Sequence, residues 1–245
     1  MDFGLKKKRV LVQGSSSGLG FAMAKAFSEE GAIVSICSRN KERIKSASKQ
    51  IPKSIFFTCD LDRKGANQQL IHNVIEKLGG IDILVINTGG PLQGRFLDLS
   101  LSDWQYGFEK LYLSAVESMM AVLPFMKSQK WGRILLSTST TAKEPRTALV
   151  ISSALRSGLL GLMKTVSNEV AADRITVNAL MPGYIKTERL TELKLSEEEL
   201  VQEIPTKRLG TAEEYAALAV FLASEQAAYV TGQAIACDGG LIRSY

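Results

Sequence analysis

Histidine is almost missing from this chain: His72 is the only one among 245 residues. That excludes a histidine-based catalytic triad and a multi-histidine metal site, so no metal is expected. Cysteine is scarce too. Cys37, Cys59 and Cys237 are odd in number, far apart and without metal-ligand spacing, which fits free, buried thiols in a reducing cytoplasm. No apolar stretch reaches the length of a membrane span, and the N-terminus has no signal-peptide core. A soluble cytoplasmic protein with no membrane partner is expected. Charge of one sign is limited as well, with 30 basic residues against 25 acidic ones. The single strongly basic run, Lys6-Lys7-Lys8-Arg9, has no interleaved aromatic residues. It reads as a solvated lead-in to the first strand, and no nucleic-acid partner is expected. Linkers, repeats and low-complexity segments are absent, so residues 1–245 are read as one globular domain.

The stretch Gly14-Ser15-Ser16-Ser17-Gly18-Leu19-Gly20 directly follows the apolar run Val10-Leu11-Val12. A strand that runs into glycines and then a helix builds a phosphate cradle. Gly14 permits the tight turn, Gly18 lets a pyrophosphate approach the backbone, and Gly20 lets the following helix (residues 21–30) pack on the sheet. Downstream, short β-branched runs at residues 32–37, 54–58 and 81–86 read as strands buried on both faces. Further strands are expected at 133–136, 175–180 and 233–236, and helices at 41–49, 65–78, 102–129 and 150–172, with Ser102-Asp103 starting the third of these. This βαβ series implies an α/β fold, a Rossmann-type doubly wound parallel sheet in a single domain. Residues 186–207 are highly charged and break the rhythm near the carboxyl end of a strand, where ligands bind in such sheets. They read as a substrate lid or as a flap without a gating role.

With these segments in place, the chain resembles the short-chain dehydrogenase/reductase family over essentially its whole length. Asp60-Leu61 resembles the family's adenine-contacting pair, and Asn87-Thr88-Gly89 stands where the family has Asn-Ala-Gly. The run from Asn178 through Pro182, Gly183, Tyr184, Ile185 and Lys186 to Thr187 looks like the loop beside the nicotinamide. The tail from Ile204-Pro205 to Asp238-Gly239-Gly240 is similar to that of 3-oxoacyl-[acyl-carrier-protein] reductases. The resemblance implies a dinucleotide site at Gly14, Ser16, Ser17, Gly18, Leu19, Gly20, Ser38, Arg39, Asp60, Leu61, Asn87, Gly89, Arg156, Pro182, Gly183, Ile185 and Thr187. It also implies a homotetramer, with the two long helices at one interface and the tail through Tyr245 at another. A carboxylate after the second strand would hold the ribose hydroxyls of NAD and repel a 2′-phosphate. Ser38-Arg39-Asn40 contains no acid, and its hydroxyl and guanidinium suit a phosphate. NADP(H) is therefore favoured over NAD(H).

The family's catalytic tetrad is Asn, Ser and the pair in Tyr-x-x-x-Lys. Aligning residues 132–139 and 153–164 with the family pattern puts Leu111 at the Asn position, Ser152 at the Tyr and Arg156 at the Lys. Only Ser139 is unchanged. A phenol of pKa ~10 can be drawn toward neutrality, whereas an alkyl alcohol cannot, so Ser152 does not replace the acid directly. Arg156 keeps the positive charge but stays protonated, with a pKa above ~12. Three readings follow. In the first, Ser139 and Arg156 stabilise the developing alkoxide of an electron-poor carbonyl, and water relayed by Ser152 supplies the proton. In the second, Tyr184, or less directly Tyr112, replaces the acid. In the third, the protein is a non-catalytic dinucleotide-binding sensor or assembly subunit. The first, an atypical NADPH-dependent reductase of a small ketone or an acyl-thioester, is preferred. A carrier-protein substrate would need a basic patch by the pocket, for which Lys127, Lys130 and Arg133 are the candidates.

Overall fold

A computed structural model describes residues 1–188, 190 and 196–244. Seven strands form one parallel sheet: β1 (Arg9–Val12), β2 (Ile33–Ser38), β3 (Ile55–Thr58), β4 (Ile83–Ile86), β5 (Gly132–Ser137), β6 (Ile175–Pro182) and β7 (Ala234–Cys237). Their order is β3-β2-β1-β4-β5-β6-β7. The direction of winding reverses between β1 and β4, and a crevice opens beyond their carboxyl ends. Successive side chains along a strand face opposite sides of the sheet, and the apolar residues split accordingly. Val10, Val12, Ile83, Val85, Leu135 and Leu180 join the core beneath α1 (Gly18–Glu29), α2 (Lys41–Gln50) and α8 (Ala212–Ala223). Leu11, Leu84, Ile86, Ile134, Leu136 and Val177 join the core under α3 (Ala66–Leu78), α5 (Ser114–Gln129) and α6 (Val150–Val170).

Several expectations need correction. β3 is an edge strand, not one buried on both faces, and Phe56 on it is partly exposed. The third long helix starts earlier than Ser102: Ser100 caps α4 (Leu101–Gly107) in a reciprocal box with Asp103. α4 then passes through a π-helical segment, Phe108–Leu113, before α5 begins. The basic run is not merely solvated. Lys8 Nζ sits 3.4 Å above the Trp131 ring, and burial lowers its pKa. Arg9 opens β1 and grips Asp82 through Nη2–Oδ1 at 2.6 Å and Nε–Oδ2 at 2.8 Å, and its backbone N–H reaches Oδ2 at 2.7 Å. Arg9 also donates to Gly79 O and Gln129 Oε1. These contacts staple β1, the entry to β4 and the end of α5 at the amino edge of the sheet.

The three thiols are free, with Cys37 buried and Cys59 and Cys237 half-buried. Burial pushes Cys37 up to about 12 and Cys59 to about 11. His72 is exposed on α3. No helix among the described residues is long and apolar enough to cross a membrane.

Candidate active site

The glycine segment turns from β1 into α1, and its compactness has a steric cause. A Cβ on Gly14, which also has φ +57°, would lie 2.4 Å from Asn87 O; one on Gly20 would lie 2.3 Å from Gly14 O. Asn87, just after β4, donates from Nδ2 to Gly14 O at 3.0 Å and Gln13 O at 3.3 Å, which locks the turn to the neighbouring strand. Ser15 adds a tie to β2: its Oγ donates to Val12 O and accepts from Cys37 N. Gly20→Ala is therefore expected to cost about 1–3 kcal/mol through forced displacement of the turn, seen as a lower thermal midpoint.

The start of α1 is uncapped, as are those of α3 and α6. α4, α7 (Glu197–Glu203) and α8 each begin with a reciprocal capping box, from Ser100, Ser196 and Thr211. α1 has no side-chain cap and no acidic residue in its first turn. Its first N–H groups, beside Gly18, are thus available to an anion. With the tight Gly14–Asn87–Gly20 turn, this is a cradle that fits a dinucleotide pyrophosphate.

At the carboxyl edge of the sheet lies a cavity of about 620 Å³. It gathers Leu19, Asn87, Ser139, Ser152, Arg156, Pro182, Gly183, Tyr184, Ile185 and Thr187 from five separate segments of chain. Ser139 follows β5 and caps the short 3₁₀ turn Thr140–Ala142, its Oγ accepting from Thr141 N at 3.2 Å. Ser152 and Arg156 stand one turn apart on α6. Arg156 is 5% exposed, and it donates from Nε to Ser152 Oγ and from Nη1 to Ser137 O, both at 3.2 Å. Ser137 is held from beneath by the buried Tyr215, whose hydroxyl lies 2.9 Å from Ser137 Oγ and whose pKa burial raises. Leu111 is fully buried in the π-helical segment. Tyr112 stacks on Phe108 at 5.2 Å and does not line the cavity.

Tyr184 lines the cavity with its hydroxyl already engaged. It accepts from Arg146 Nη1 and donates to Glu203 Oε2 at 3.2 Å, while Arg146 Nη2 donates to the same carboxylate at 3.1 Å. Burial raises the hydroxyl's pKa and Glu203 adds to the rise, while Arg146 opposes both. Arg146 and Glu203 escape a sequence reading because each belongs to an irregular or charged stretch with no motif. The link joins α7, within the expected lid, to the loop after β5. Arg189 and residues 191–195 of that lid lie outside the described residues, as does Tyr245 of the tail.

The remaining expected cofactor residues flank the crevice beyond β1, β2, β3 and β4. Ser16 and Ser17 are half-exposed in the turn, and Asp60 and Leu61 follow β3. Ser38 Oγ accepts from Asn40 N at 3.3 Å. The exposed Arg39 lies 4.0 Å from Asp62, which also takes Lys110 Nζ at 3.2 Å. Lys110, unnoticed in the sequence, lies against Gly89. The expected carrier-protein patch does not exist as drawn. Arg133 is 2% exposed and bonds to backbone carbonyls, while Lys127 and Lys130 pair with Asp173. All three stand at the amino end of β5, the edge opposite the cavity.

A family model described as enoyl-(acyl carrier protein) reductase matches residues 14–242. The NADPH-dependent reductase BacG of Bacillus subtilis is 30% identical, covering 98% of this chain and 100% of that relative. The 3-oxoacyl-[acyl-carrier-protein] reductase FabG of Chlamydia pneumoniae is 33% identical over 98% of this chain and 99% of its own length. Among solved structures, the L-sorbose reductase of Gluconobacter frateurii, in complex with NADPH and L-sorbose, superposes with a TM-score of 0.94 at 29% identity, covering 100% of both chains. The chain belongs to the short-chain dehydrogenase/reductase family, and it is an oxidoreductase of that class.

Proposed function

We propose that the protein reduces a carbonyl with NADPH in the 620 Å³ cavity, using Ser139 and Arg156 in place of the family's full tetrad. The observation that carries this reading is that Ser139, Ser152 and Arg156 share one cavity with Leu19, Asn87 and the Pro182–Thr187 segment, where the family places its nicotinamide. When bound, the cofactor supplies a hydride. The uncapped start of α1 holds its pyrophosphate, and Asp60, Leu61, Asn87 and Gly89 border the adenosine. Ser38 and Arg39 meet the 2′-phosphate. Ser139 and Arg156 polarise the carbonyl oxygen. Tyr184 serves as a wall, braced by Arg146 and Glu203, and Glu203 ties α7 of the expected lid to that wall. A small ketone or a 3-oxoacyl thioester suits the cavity size. The BacG, FabG and sorbose reductase resemblances support both the cofactor and the reaction type.

Fluorescence titration and NADPH consumption against a panel of ketones and thioesters test this reading. Tight NADPH binding with no turnover across the panel would favour the non-catalytic binder. Arg39→Asp is expected to weaken NADPH binding about 10–100-fold, the worth of one charge-assisted contact, and to leave NADH binding unchanged or improved. Equal loss for both cofactors would assign Arg39 no part in phosphate recognition. Exposed Leu113 and Met120 on and beside α5 suit burial in the homotetramer, and a monomer mass by light scattering would exclude that assembly.

A further inference from the structure

The charge lining the cavity is one-sided. Its described lining residues include two arginines, Arg146 and Arg156, and no carboxylate. Arg156 has a place in the chemistry; Arg146 so far has none beyond bracing a wall. It belongs to the loop between β5 and α6, a different element from the pyrophosphate cradle at α1. Its backbone N–H donates to Ser153 Oγ at 3.3 Å, and its carbonyl accepts from Leu149 N at 2.9 Å. These bonds fasten Arg146 to the first turn of α6, the helix that carries Ser152 and Arg156.

The Arg146 guanidinium already holds one carboxylate. Its Nη2 and the Tyr184 hydroxyl both donate to Glu203 Oε2, at 3.1 and 3.2 Å. Its Nη1 donates to the Tyr184 hydroxyl, and its centre lies 5.0 Å from the Tyr184 ring centroid, a stacking contact that orients it. Arg146 and Tyr184 line the cavity, whereas Glu203 is not part of its lining. Only two of the guanidinium's N–H groups are engaged by the described residues, so a fork of donors is left over. The Arg146 and Glu203 side chains are 35% and 46% exposed, so their pair is a weak one with which another carboxylate can compete.

We propose that Arg146 is a carboxylate-recognition residue and that the substrates are oxo acids, carbonyl compounds that carry a free carboxylate. This rests on the reductase reading above and narrows its substrate class. The planar guanidinium matches the two oxygens of a carboxylate, and the absence of acidic groups among the described lining residues removes repulsion. Pro91, Pro145, Ala148, Leu149 and Ile185 supply apolar wall for the body of the molecule. A neutral ketone or a thioester leaves the Arg146 fork unused. With the carboxylate on Arg146 and the carbonyl oxygen on Ser139 and Arg156, the substrate is held at both ends. Its carbonyl carbon gains the hydride, the π pair moves to oxygen, and water supplies the proton, which gives a hydroxy acid.

Titration calorimetry tests the site on protein saturated with NADP, which cannot reduce the ligand. The probes are 2-oxo-4-phenylbutanoate and 4-oxo-4-phenylbutanoate, each beside its methyl ester. The expected result is about tenfold tighter binding of at least one acid than of its ester, the worth of one charge-assisted contact. Arg146→Gln removes that advantage and Arg146→Lys keeps part of it, with circular dichroism verifying the fold of each variant. Glu203→Gln, which takes away the competing charge, raises the advantage about two- to fivefold. Esters that bind as tightly as the acids overturn the proposal, and an acid advantage that persists in Arg146→Gln overturns the assignment to Arg146. A second arm supplies NADPH and identifies products by mass spectrometry. Hydroxy acid formed with kcat/KM about tenfold above that for the ester supports the proposal. Esters reduced as fast as the acids overturn the substrate class and leave the carbonyl-reductase reading standing. An acid advantage in binding with none of the compounds reduced overturns the reductase reading, and the substrate class falls with it.

Discussion

Arg156→Ala is expected to lower kcat/KM by about 10²–10³, the usual consequence of deleting one preorganised oxyanion donor, or about 3–4 kcal/mol of barrier. The effect should be that large because Arg156 is buried, aimed by Ser137 O and by Ser152, and lines the same cavity as Ser139. Two consequences separate a chemical role from a purely structural one. Arg156→Lys, which keeps charge and loses the planar fork, should recover part of kcat, whereas a packing defect would not respond to charge. Loss should also fall on kcat more than on KM, since the donor matters most when negative charge develops on oxygen. Steady-state kinetics beside thermal melts check both. Turnover equal to wild type in Arg156→Ala would remove Arg156 from the chemistry.

The largest expected loss of stability lies at the other edge of the sheet. Asp82→Ala leaves Arg9 without its bidentate partner in a mostly covered position, the side chains being 22% and 12% exposed. Removing one member of such a pair costs about 3–5 kcal/mol, or about 6–20 °C in thermal midpoint for a chain of this size. Catalytic constants per folded molecule should stay near wild type, because the pair is a full strand length from the cavity. The same pair predicts the acid response. Burial alone would raise the Asp82 carboxyl, but hydrogen bonds from Arg9 and the charges of Arg9 and Lys8 hold it below its ordinary value. A carboxyl lowered in the folded state binds its proton more readily when unfolded. Its stabilisation is complete above the ordinary carboxylate range near pH 4 and is lost as the pH falls through the lowered value. Asp82→Asn should therefore flatten the stability profile below about pH 4, as read by thermal melts across pH, and an unchanged acid slope would refute the assignment.

Local signals were legible wherever they depended on a few consecutive residues. The apolar runs of β1 and β4, the turn between β1 and α1, and the alternation of strands with helices follow from short-range rules. So does the grouping of Ser139, Ser152 and Arg156, once the family pattern set the frame. What depends on distant partners was not legible. A run of four basic residues looks solvated until Asp82, Glu225 and Trp131 arrive from far along the chain. Phe56 sits in an apolar run like the others, and only the strand order reveals its edge position. Arg133 looks like a surface charge, yet its guanidinium is consumed by carbonyls at Gly132, Arg174 and Ser224. The brace of Arg146, Tyr184 and Glu203 unites three segments with no shared motif, so spacing alone could not assemble it.

α4, α7 and α8 close their first turns with capping boxes and α2 with the Asn40 side chain, whereas α1, at the crevice, has no side-chain cap. An anion bound there would complete that first turn, and would belong to the fold as much as to the chemistry. Stability and occupancy are then one equilibrium. At a ligand concentration a hundred times its dissociation constant, the folded state gains about 2.7 kcal/mol that the bare chain does not have. The abundance of the folded protein in a cell would follow the supply of its own ligand, a form of control that requires no second site.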